Sequence, residues 1–120
     1  MEEQRNRYFS GKVSTTSLMK MYILHLLSQQ NLYGNQIIDS IRERLNGKWE
    51  PSPGMIYPLL RDLEENGYVK SWWQEPDKKS IRFYKLTESG HSHLERLKIR
   101  YKKPLEDTKE VITCILEEIF

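Results

Sequence analysis

The most constraining feature of this sequence is a pair of short β-type segments that follows a stretch with helical patterning. Val, Ile, Trp, Phe and Tyr are concentrated in residues Tyr68–Gln74 and Ile81–Leu86, and the connecting residues EPDKKS favour a turn. This pattern predicts a β-hairpin with a basic tip. Because helical patterning lies on both sides of the hairpin, we expect a mainly α-helical (α+β) fold.

Three helical segments precede the hairpin. The first follows a cluster of N-cap candidates at residues 14–17 and ends at about residue 29, and the other two are predicted at about 34–45 and 53–65. Apolar residues occupy more than one face of the first segment. Because a small domain cannot bury such a helix alone, we expect part of it to contact another subunit. Ser52 and Pro53 are typical of the N-cap and the first position of the third helix. Pro58 removes a backbone hydrogen bond and therefore predicts an irregular or bent first turn in that helix.

A long helical pattern follows the hairpin, with Thr87 as its predicted N-cap. Apolar residues recur in it with a spacing close to a heptad, which favours packing against a second helix. We therefore expect a homodimer in which this seam and the first helix form the interface. The predicted interface residues are Leu18, Tyr22, Leu94, Tyr101, Leu105, Thr108, Ile112, Ile115 and Ile119. Pro104 lies inside the pattern and predicts a kink or a split near Lys103.

Charge is segregated along this chain of 120 residues, which is long enough for one domain with a single core. From Lys78 to Lys103, nine Lys or Arg stand against two Glu, a local net charge of +7. From Pro104 to Phe120, one Lys stands against five acidic residues, a local net charge of −4. Such segregation is typical of a basic surface that meets phosphate, although scattered charge on a solvated helix face gives the same pattern.

Membrane and secreted proteins do not fit the sequence. The longest nearly apolar run, Met21–Leu27, has seven residues, whereas a membrane-spanning helix needs about 20. Residues 1–13 are polar, lack the apolar segment of a secretory signal and are expected to form an N-terminal arm. The single cysteine, Cys114, cannot form an internal disulfide. We therefore expect a cytoplasmic protein with no membrane partner.

The sequence also disfavours an enzyme. His91 and His93 are two residues apart, and side chains with that spacing diverge on a helix, which argues against a shared metal ion. No phosphate-binding glycine motif and no nucleophile motif occurs in the sequence. We therefore expect a non-enzymatic protein without a cofactor or a metal.

Three helices followed by a two-stranded hairpin is the element order of a winged helix-turn-helix, in which the third helix enters the DNA major groove and the hairpin, or wing, contacts the DNA backbone. Tyr57 and Arg61 are predicted on the exposed side of that helix, where Arg can bond guanine and Tyr can bond phosphate. The free N–H groups at the helix start suit phosphate as well. The predicted DNA-contacting residues are Ser52, Gly54, Tyr57, Arg61, Lys78, Lys79 and Arg82.

Several of these aromatic and charged residues also have a purely structural interpretation. Tyr57 suits the rim of the core, Arg61 suits an i, i+4 pair with Glu65, and the lysines of the wing suit a solvated turn. Trp72 and Trp73 are adjacent on a predicted strand, so we expect one ring to enter the core and the other to point outward.

Five short motifs occur in order between Met21 and Gly90: LYG at 32–34, SPG at 52–54, IYPLL at 56–60, LEENGYV at 63–69 and YKLTESG at 84–90. Together they resemble the PadR family of bacterial transcriptional regulators. The resemblance implies a homodimeric, sequence-specific DNA-binding regulator, usually a repressor, that binds a pseudo-palindromic operator. It also implies that a small aromatic or hydrophobic effector releases DNA from some members.

With this resemblance, residues 14–87 are interpreted as the winged helix-turn-helix DNA-binding domain and residues 88–120 as a C-terminal dimerisation helix. The alternative is a winged-helix protein-interaction module with little affinity for DNA. The two hypotheses differ in the charges that dominate the exposed face of the third helix. Tyr57 and Arg61 favour DNA, whereas Asp62, Glu64 and Glu65 favour a protein partner.

Overall fold

The structure is a computed structural model that describes residues 14–77 and 81–120. Its elements are α1 (Thr15–Gln29), β1 (Leu32–Tyr33), α2 (Gly34–Arg44), α3 (Pro53–Glu65), β2 (Val69–Trp73), β3 (Arg82–Leu86) and α4 (Glu88–Ile119). The predicted fold, with three helices before a hairpin and a long helix after it, is confirmed. The predicted arm, residues 1–13, lies outside the described residues.

Helix α1 lies at the centre of the domain. The Ser14 side chain caps it by accepting a hydrogen bond from the Ser17 N–H at 3.0 Å. Helices α2, α3 and α4 and strand β3 all pack against it. The residues of α1 that these elements bury are Met19, Ile23, Leu24, Leu26 and Leu27. Most of the apolar surface that we expected to contact another subunit is therefore covered by the same chain.

Helices α2 and α3 form the helix-turn-helix pair. The stripes that they bury are Ile37, Ile38 and Ile41 of α2 and Ile56, Leu60 and Leu63 of α3. Ser52 occupies the N-cap position of α3 as predicted, but its side chain makes no capping bond. The α-helix is continuous from Pro53 to Glu65 through Pro58, so Pro58 does not interrupt it. The carbonyl that loses its partner belongs to the exposed residue Gly54, where water can replace the missing bond.

Strands β2 and β3 form the predicted antiparallel hairpin, in which Val69 lies opposite Leu86 and Trp73 lies opposite Arg82. We refer to these two strands as the wing. Strand β1 adds a third strand that the sequence analysis did not predict, and the sheet order is β1-β3-β2. A strand of two residues is too short to show an alternating pattern. Residues 78–80 of the hairpin turn lie outside the described residues.

Neither tryptophan of the wing enters the buried core, so this part of the prediction is wrong. Trp72 is 39% exposed and stacks on Phe83. Trp73 is half-buried, and the guanidinium carbon of Arg82 lies 5.1 Å from its ring centroid. The two indole rings do belong to opposite faces of the sheet. Trp73 stays out of the core because it is the last residue of β2 and lies at the end of the sheet.

Helix α4 is one continuous helix of 32 residues, so the predicted split near Lys103 is wrong. A helix of this length loses one backbone hydrogen bond at Pro104 and keeps the bonds on both sides. The Thr108 hydroxyl donates to the Pro104 carbonyl oxygen at 2.8 Å. No helix among residues 14–77 and 81–120 is both long enough and apolar enough to cross a membrane.

The start of α4 is held tightly against the turn that precedes the wing. Thr87 caps the helix, because its side chain accepts a hydrogen bond from the Gly90 N–H at 3.0 Å and donates one to the Gly67 carbonyl oxygen at 2.6 Å. A Cβ atom on Gly90 would lie 2.1 Å from the carbonyl oxygen of Tyr68. Only glycine therefore permits this approach between helix and turn. Beyond it, α4 buries Leu94, Leu97 and Tyr101.

Tyr68 and His93 stack face to face at the same junction. Their ring centroids are 3.9 Å apart and the ring planes differ by 4°. Burial lowers the pKa of His93, and the positive charges of Arg96, Arg100 and Lys20 lower this pKa further. The folded state therefore favours the neutral imidazole.

We expect the free energy of unfolding to fall as the pH is lowered, because the folded state resists protonation of His93. Above the unfolded-state pKa of about 6.5, His93 is neutral in both states and does not reduce the free energy of unfolding. As the pH falls from that value toward the lowered pKa of the folded state, the unfolded chain takes up the proton more readily and the free energy of unfolding decreases. Urea unfolding at several pH values measures the effect. His93→Gln should flatten the pH dependence, whereas His91→Gln, at an exposed position, should preserve it. Equal pH dependence in the two variants would contradict this assignment.

Candidate nucleic-acid interface

The outward face of α3 carries Gly54, Tyr57 and Arg61, which all lie exposed on one side of the helix. Tyr57 is 37% exposed, and the rest of its ring lies over the start of α2. A Cβ atom on Gly34 would lie 2.3 Å from the Tyr57 hydroxyl oxygen. One part of Tyr57 therefore packs between the two helices, as the structural interpretation predicts, and the other part faces solvent.

Arg61 extends from the same face and is exposed to solvent. No carboxylate of the described residues forms an ion pair with it, and the structural alternative of a pair with Glu65 is not observed. A guanidinium that no acid neutralises, on the exposed side of a helix, is suited to donate to the edge of a guanine or to a phosphate.

A concave surface with a volume of about 630 Å³ lies between α3 and the wing. Its lining residues are Tyr33, Gly34, Asn35, Tyr57, Trp73, Ile81, Arg82 and Tyr84. The N-terminus of α2 lies at this surface, with Gly34 and Asn35 among the lining residues. The first N–H groups of a helix lack helical partners and favour an anion. Burial raises the pKa of the Tyr84 phenol, which the nearby Glu64 carboxylate raises further and Arg82 lowers. The Tyr84 hydroxyl is therefore protonated at neutral pH.

Arg82 is engaged inside the domain, unlike Arg61. Its Nε donates to the Ser71 hydroxyl oxygen at 2.8 Å, and its guanidinium lies 3.8 Å from a carboxylate oxygen of Glu64. Its planar end also lies over the ring of Trp73. These contacts give Arg82, which the sequence predicted as a phosphate contact, a role inside the wing.

Glu64 is the residue at this site whose role the sequence analysis missed. One carboxylate oxygen accepts hydrogen bonds from the Ser71 backbone N–H at 3.1 Å and the Ser71 hydroxyl at 2.7 Å. The same carboxylate faces Arg82 of the neighbouring strand. The side chain of Glu64 thus joins α3 to both strands of the wing. Ser71 and Arg82 follow Glu64 by seven and eighteen positions, and contacts at such separations across different elements produce no periodic pattern in the sequence.

The other predicted DNA contacts divide into two groups. Ser52 and Gly54 lie exposed at the start of α3. The N–H groups of Met55 and Ile56 donate to the Ser52 carbonyl oxygen, and Pro53 has no N–H, so the Gly54 N–H is the group of this turn that can meet phosphate. Lys78 and Lys79 lie outside the described residues.

The predicted dimer residues occupy three different environments. Leu94 and Tyr101 pack into the core of the same chain and leave little surface for a partner. Ile112, Ile115 and Ile119 are exposed on the far half of α4, and Thr108 is half-buried. An apolar groove of about 340 Å³ runs between α1 and α4. Its lining residues are Leu18, Met21, Tyr22, His25, Leu45, Trp49, Leu94, Lys98 and Leu105.

Comparisons with known proteins agree with this geometry. The profile of the family described as "Transcriptional regulator PadR-like family" matches residues 23–96. Transcriptional regulator YqjI of Escherichia coli K12 is 36% identical over 77 residues, which are 64% of this chain and 36% of that protein. Negative transcriptional regulator PadR of Bacillus subtilis 168 is 30% identical over 94 residues, 78% of this chain and 52% of that protein. The matched segments thus span about a third and about half of these two relatives.

Solved structures show the same arrangement of elements. A transcriptional regulator from Clostridium thermocellum superposes with a TM-score of 0.67 at 28% identity, over 81% of this chain and 91% of that one. A PadR family transcription regulator from Clostridium difficile superposes with a TM-score of 0.65, over 78% of this chain and 97% of that one. At 23% identity, the second similarity concerns the fold alone.

We expect Glu64→Ala to lower the free energy of unfolding by about 1–2 kcal/mol, because it removes charge-assisted hydrogen bonds that are partly exposed to solvent. Urea unfolding followed by tryptophan fluorescence measures the change, since Trp73 lies beside Arg82. Glu65→Ala is the matched control, because Glu65 is exposed on the same helix and has no ion-pair partner among the described residues. Equal effects of the two substitutions would show that Glu64 does not hold the wing.

Proposed function

Because the chain belongs to the PadR-like family of transcriptional regulators, we propose that it is a DNA-binding regulator whose α3 enters the major groove of duplex DNA. The observation that carries this proposal is the outward face of α3, where Tyr57 and Arg61 are exposed and Arg61 has no acidic partner among the described residues. A cationic side chain in this position is suited to base edges and phosphates.

Internal ion pairs on α3 favour DNA over a protein partner. Asp62 forms an ion pair with Lys20 of α1, and Glu64 is bonded to Ser71 and faces Arg82. Two of the three acidic residues that supported the protein-interaction alternative are therefore compensated within the domain. Arg61, which has no acidic partner among the described residues, then places a positive charge on the same exposed face as Tyr57.

We assign the contacts as follows. Arg61 bonds base edges, while Tyr57 and the exposed start of α3 at Ser52 and Gly54 contact the backbone. Lys78 and Lys79 of the hairpin turn contact phosphate without reading sequence. Arg82 acts indirectly, because its bonds to Ser71 and Glu64 set the position of the wing relative to α3.

The regulator is proposed to act as a homodimer. Ile112, Ile115 and Ile119 are exposed on α4, and the apolar groove between α1 and α4 includes Leu18 and Tyr22. A second copy that covers both surfaces removes apolar area from water. Two α3 helices related by a two-fold axis then bind a pseudo-palindromic operator whose half-sites lie about one or two helical turns apart.

The proposed direction of regulation is repression, which the name of the Bacillus subtilis relative, a negative transcriptional regulator, supports. The groove between α1 and α4 is also the proposed site for a small aromatic or hydrophobic effector, which lies inside the groove while the second copy covers its opening. Its volume of about 340 Å³ lies within the usual range for small-molecule sites. Its walls are mostly apolar and include the rings of Tyr22 and Trp49.

We expect Arg61→Ala to weaken binding to the operator by about 1–3 kcal/mol and to relax base preference at one position in each half-site. Lys78→Ala and Lys79→Ala should instead weaken binding to all duplexes. The slope of the logarithm of the binding constant against the logarithm of the salt concentration should become shallower by about 0.9 for each phosphate that is no longer neutralised. The measurement is a salt series of binding isotherms on the operator, chosen by gel shift from the DNA upstream of the gene, and on a scrambled duplex.

Lys102→Ala on α4 is the control for loss of one positive charge and should leave both isotherms unchanged. Tyr57→Phe separates the hydroxyl of Tyr57 from its ring, because a large loss of affinity shows that the hydroxyl bonds DNA. Equally small effects of all these substitutions on both duplexes would contradict the proposed interface and favour the protein-interaction alternative.

We expect the unmodified protein to sediment as a dimer, and the double variant Ile112→Asp/Ile115→Asp to sediment as a monomer, because buried unpaired carboxylates are strongly unfavourable. Ile99→Asp is the matched control, since Ile99 lies on the same helix and is 82% exposed. Analytical ultracentrifugation distinguishes the two states. A stable folded monomer of the unmodified protein at micromolar concentration would refute the dimer.

A further inference from the structure

The outer face of the sheet carries a row of three aromatic rings. Tyr33 of β1 lies opposite Phe83 of β3, and Phe83 lies opposite Trp72 of β2. Since side chains alternate along a strand, these three rings share the face opposite to that of the buried residues Leu32 and Tyr84. The ring centroids are 5.4 Å apart for Tyr33 and Phe83 and 5.8 Å apart for Phe83 and Trp72.

Two lysines lie on the same face beside these rings. Lys70 and Lys85 are directly opposite each other in the register of β2 and β3, and both are exposed. Like charges in such a pair destabilise a sheet. Neither lysine has an acidic partner among residues 14–77 and 81–120. The sheet thus carries an uncompensated repulsion next to a partly exposed tryptophan, and an anion at this position would relieve it.

The combination of rings and cations specifies the chemistry of a partner. Planar groups stack on aromatic side chains, while the lysines attract negative charge. Nucleotides carry a planar base and an anionic phosphate at short separation. A duplex keeps its bases stacked inside, whereas a single strand exposes them to an aromatic surface on a sheet.

We propose that the outer face of this sheet binds single-stranded nucleic acid, with bases stacked on Trp72 and Phe83 and phosphates beside Lys70 and Lys85. This site is separate from the outward face of α3, and the proposal does not depend on duplex binding by α3. The small area of the face limits the site to a few nucleotides, which is the lower end of the range for sheet-based sites.

Fluorescence anisotropy with fluorescein-labelled oligo(dT) and oligo(U) of about 12 nucleotides tests the proposal on the full chain. We expect Trp72→Ala to weaken binding by about tenfold, because it removes one stacking contact. Lys70→Glu should also weaken binding. The slope of the logarithm of the binding constant against the logarithm of the salt concentration should become shallower by about 0.7 for each phosphate contact that is lost. The same substitution should raise the melting temperature, since it converts the repulsion with Lys85 into an attraction.

The opposite directions of the two effects of Lys70→Glu, weaker binding with a more stable fold, exclude misfolding as the cause. Lys102→Glu provides the same charge change on α4 and should leave single-strand binding intact. Arg61→Ala should weaken duplex binding alone, and Trp72→Ala should weaken single-strand binding alone. Single-strand binding that depends on Arg61 and not on Trp72, or that duplex DNA displaces at equal concentration, would overturn the proposal. Absence of single-strand binding by the unmodified protein would overturn it as well.

Discussion

The geometry of the candidate DNA interface depends on the contacts that the Glu64 carboxylate makes with Ser71 and Arg82. A winged helix-turn-helix needs its third helix and its wing at a fixed separation, yet a two-stranded hairpin is marginal on its own. Glu64 of α3 accepts hydrogen bonds from Ser71 of β2 and faces Arg82 of β3. One side chain thereby couples the helix to both strands of the wing. The position of the wing strands relative to α3 is consequently set by a hydrogen-bonded charge as well as by apolar packing.

The burial of α1 provides the centre of the hydrophobic core. Because its apolar residues occupy more than one face, α1 offers surface to α2, α3, α4 and β3 together. A sequence with this property does not show whether the helix is buried by its own chain or by a second subunit. We expected part of α1 to contact another subunit, whereas Met19, Ile23 and Leu24 are covered by the same chain. Leu18 and Tyr22 line the groove that remains open.

Sequence patterns were sufficient to predict the long helices and the hairpin, but they could not predict contacts between residues that are distant in the sequence. The caps at Ser14 and Thr87, and Pro53 in the first turn of α3, lie where local chemistry places them. The pairing of Arg82 with Glu64 could not be predicted, since no local spacing relates the two. The heptad pattern in α4 was ambiguous for a similar reason. Tyr101 in the core and Ile115 at the surface belong to one stripe, because the same spacing serves both environments.

The approach of Gly90 to the Tyr68 carbonyl has a consequence for the whole molecule that follows from the length of α4. With 32 residues at about 1.5 Å per residue, α4 is a rod of about 48 Å. Its direction is set at one end by a glycine contact that allows no added atom, together with the bonds of Thr87. A rotation of about 10° at this joint displaces the far end by about 8 Å. Because α4 is long, a small change in its direction at this joint would be magnified at the tip of the helix.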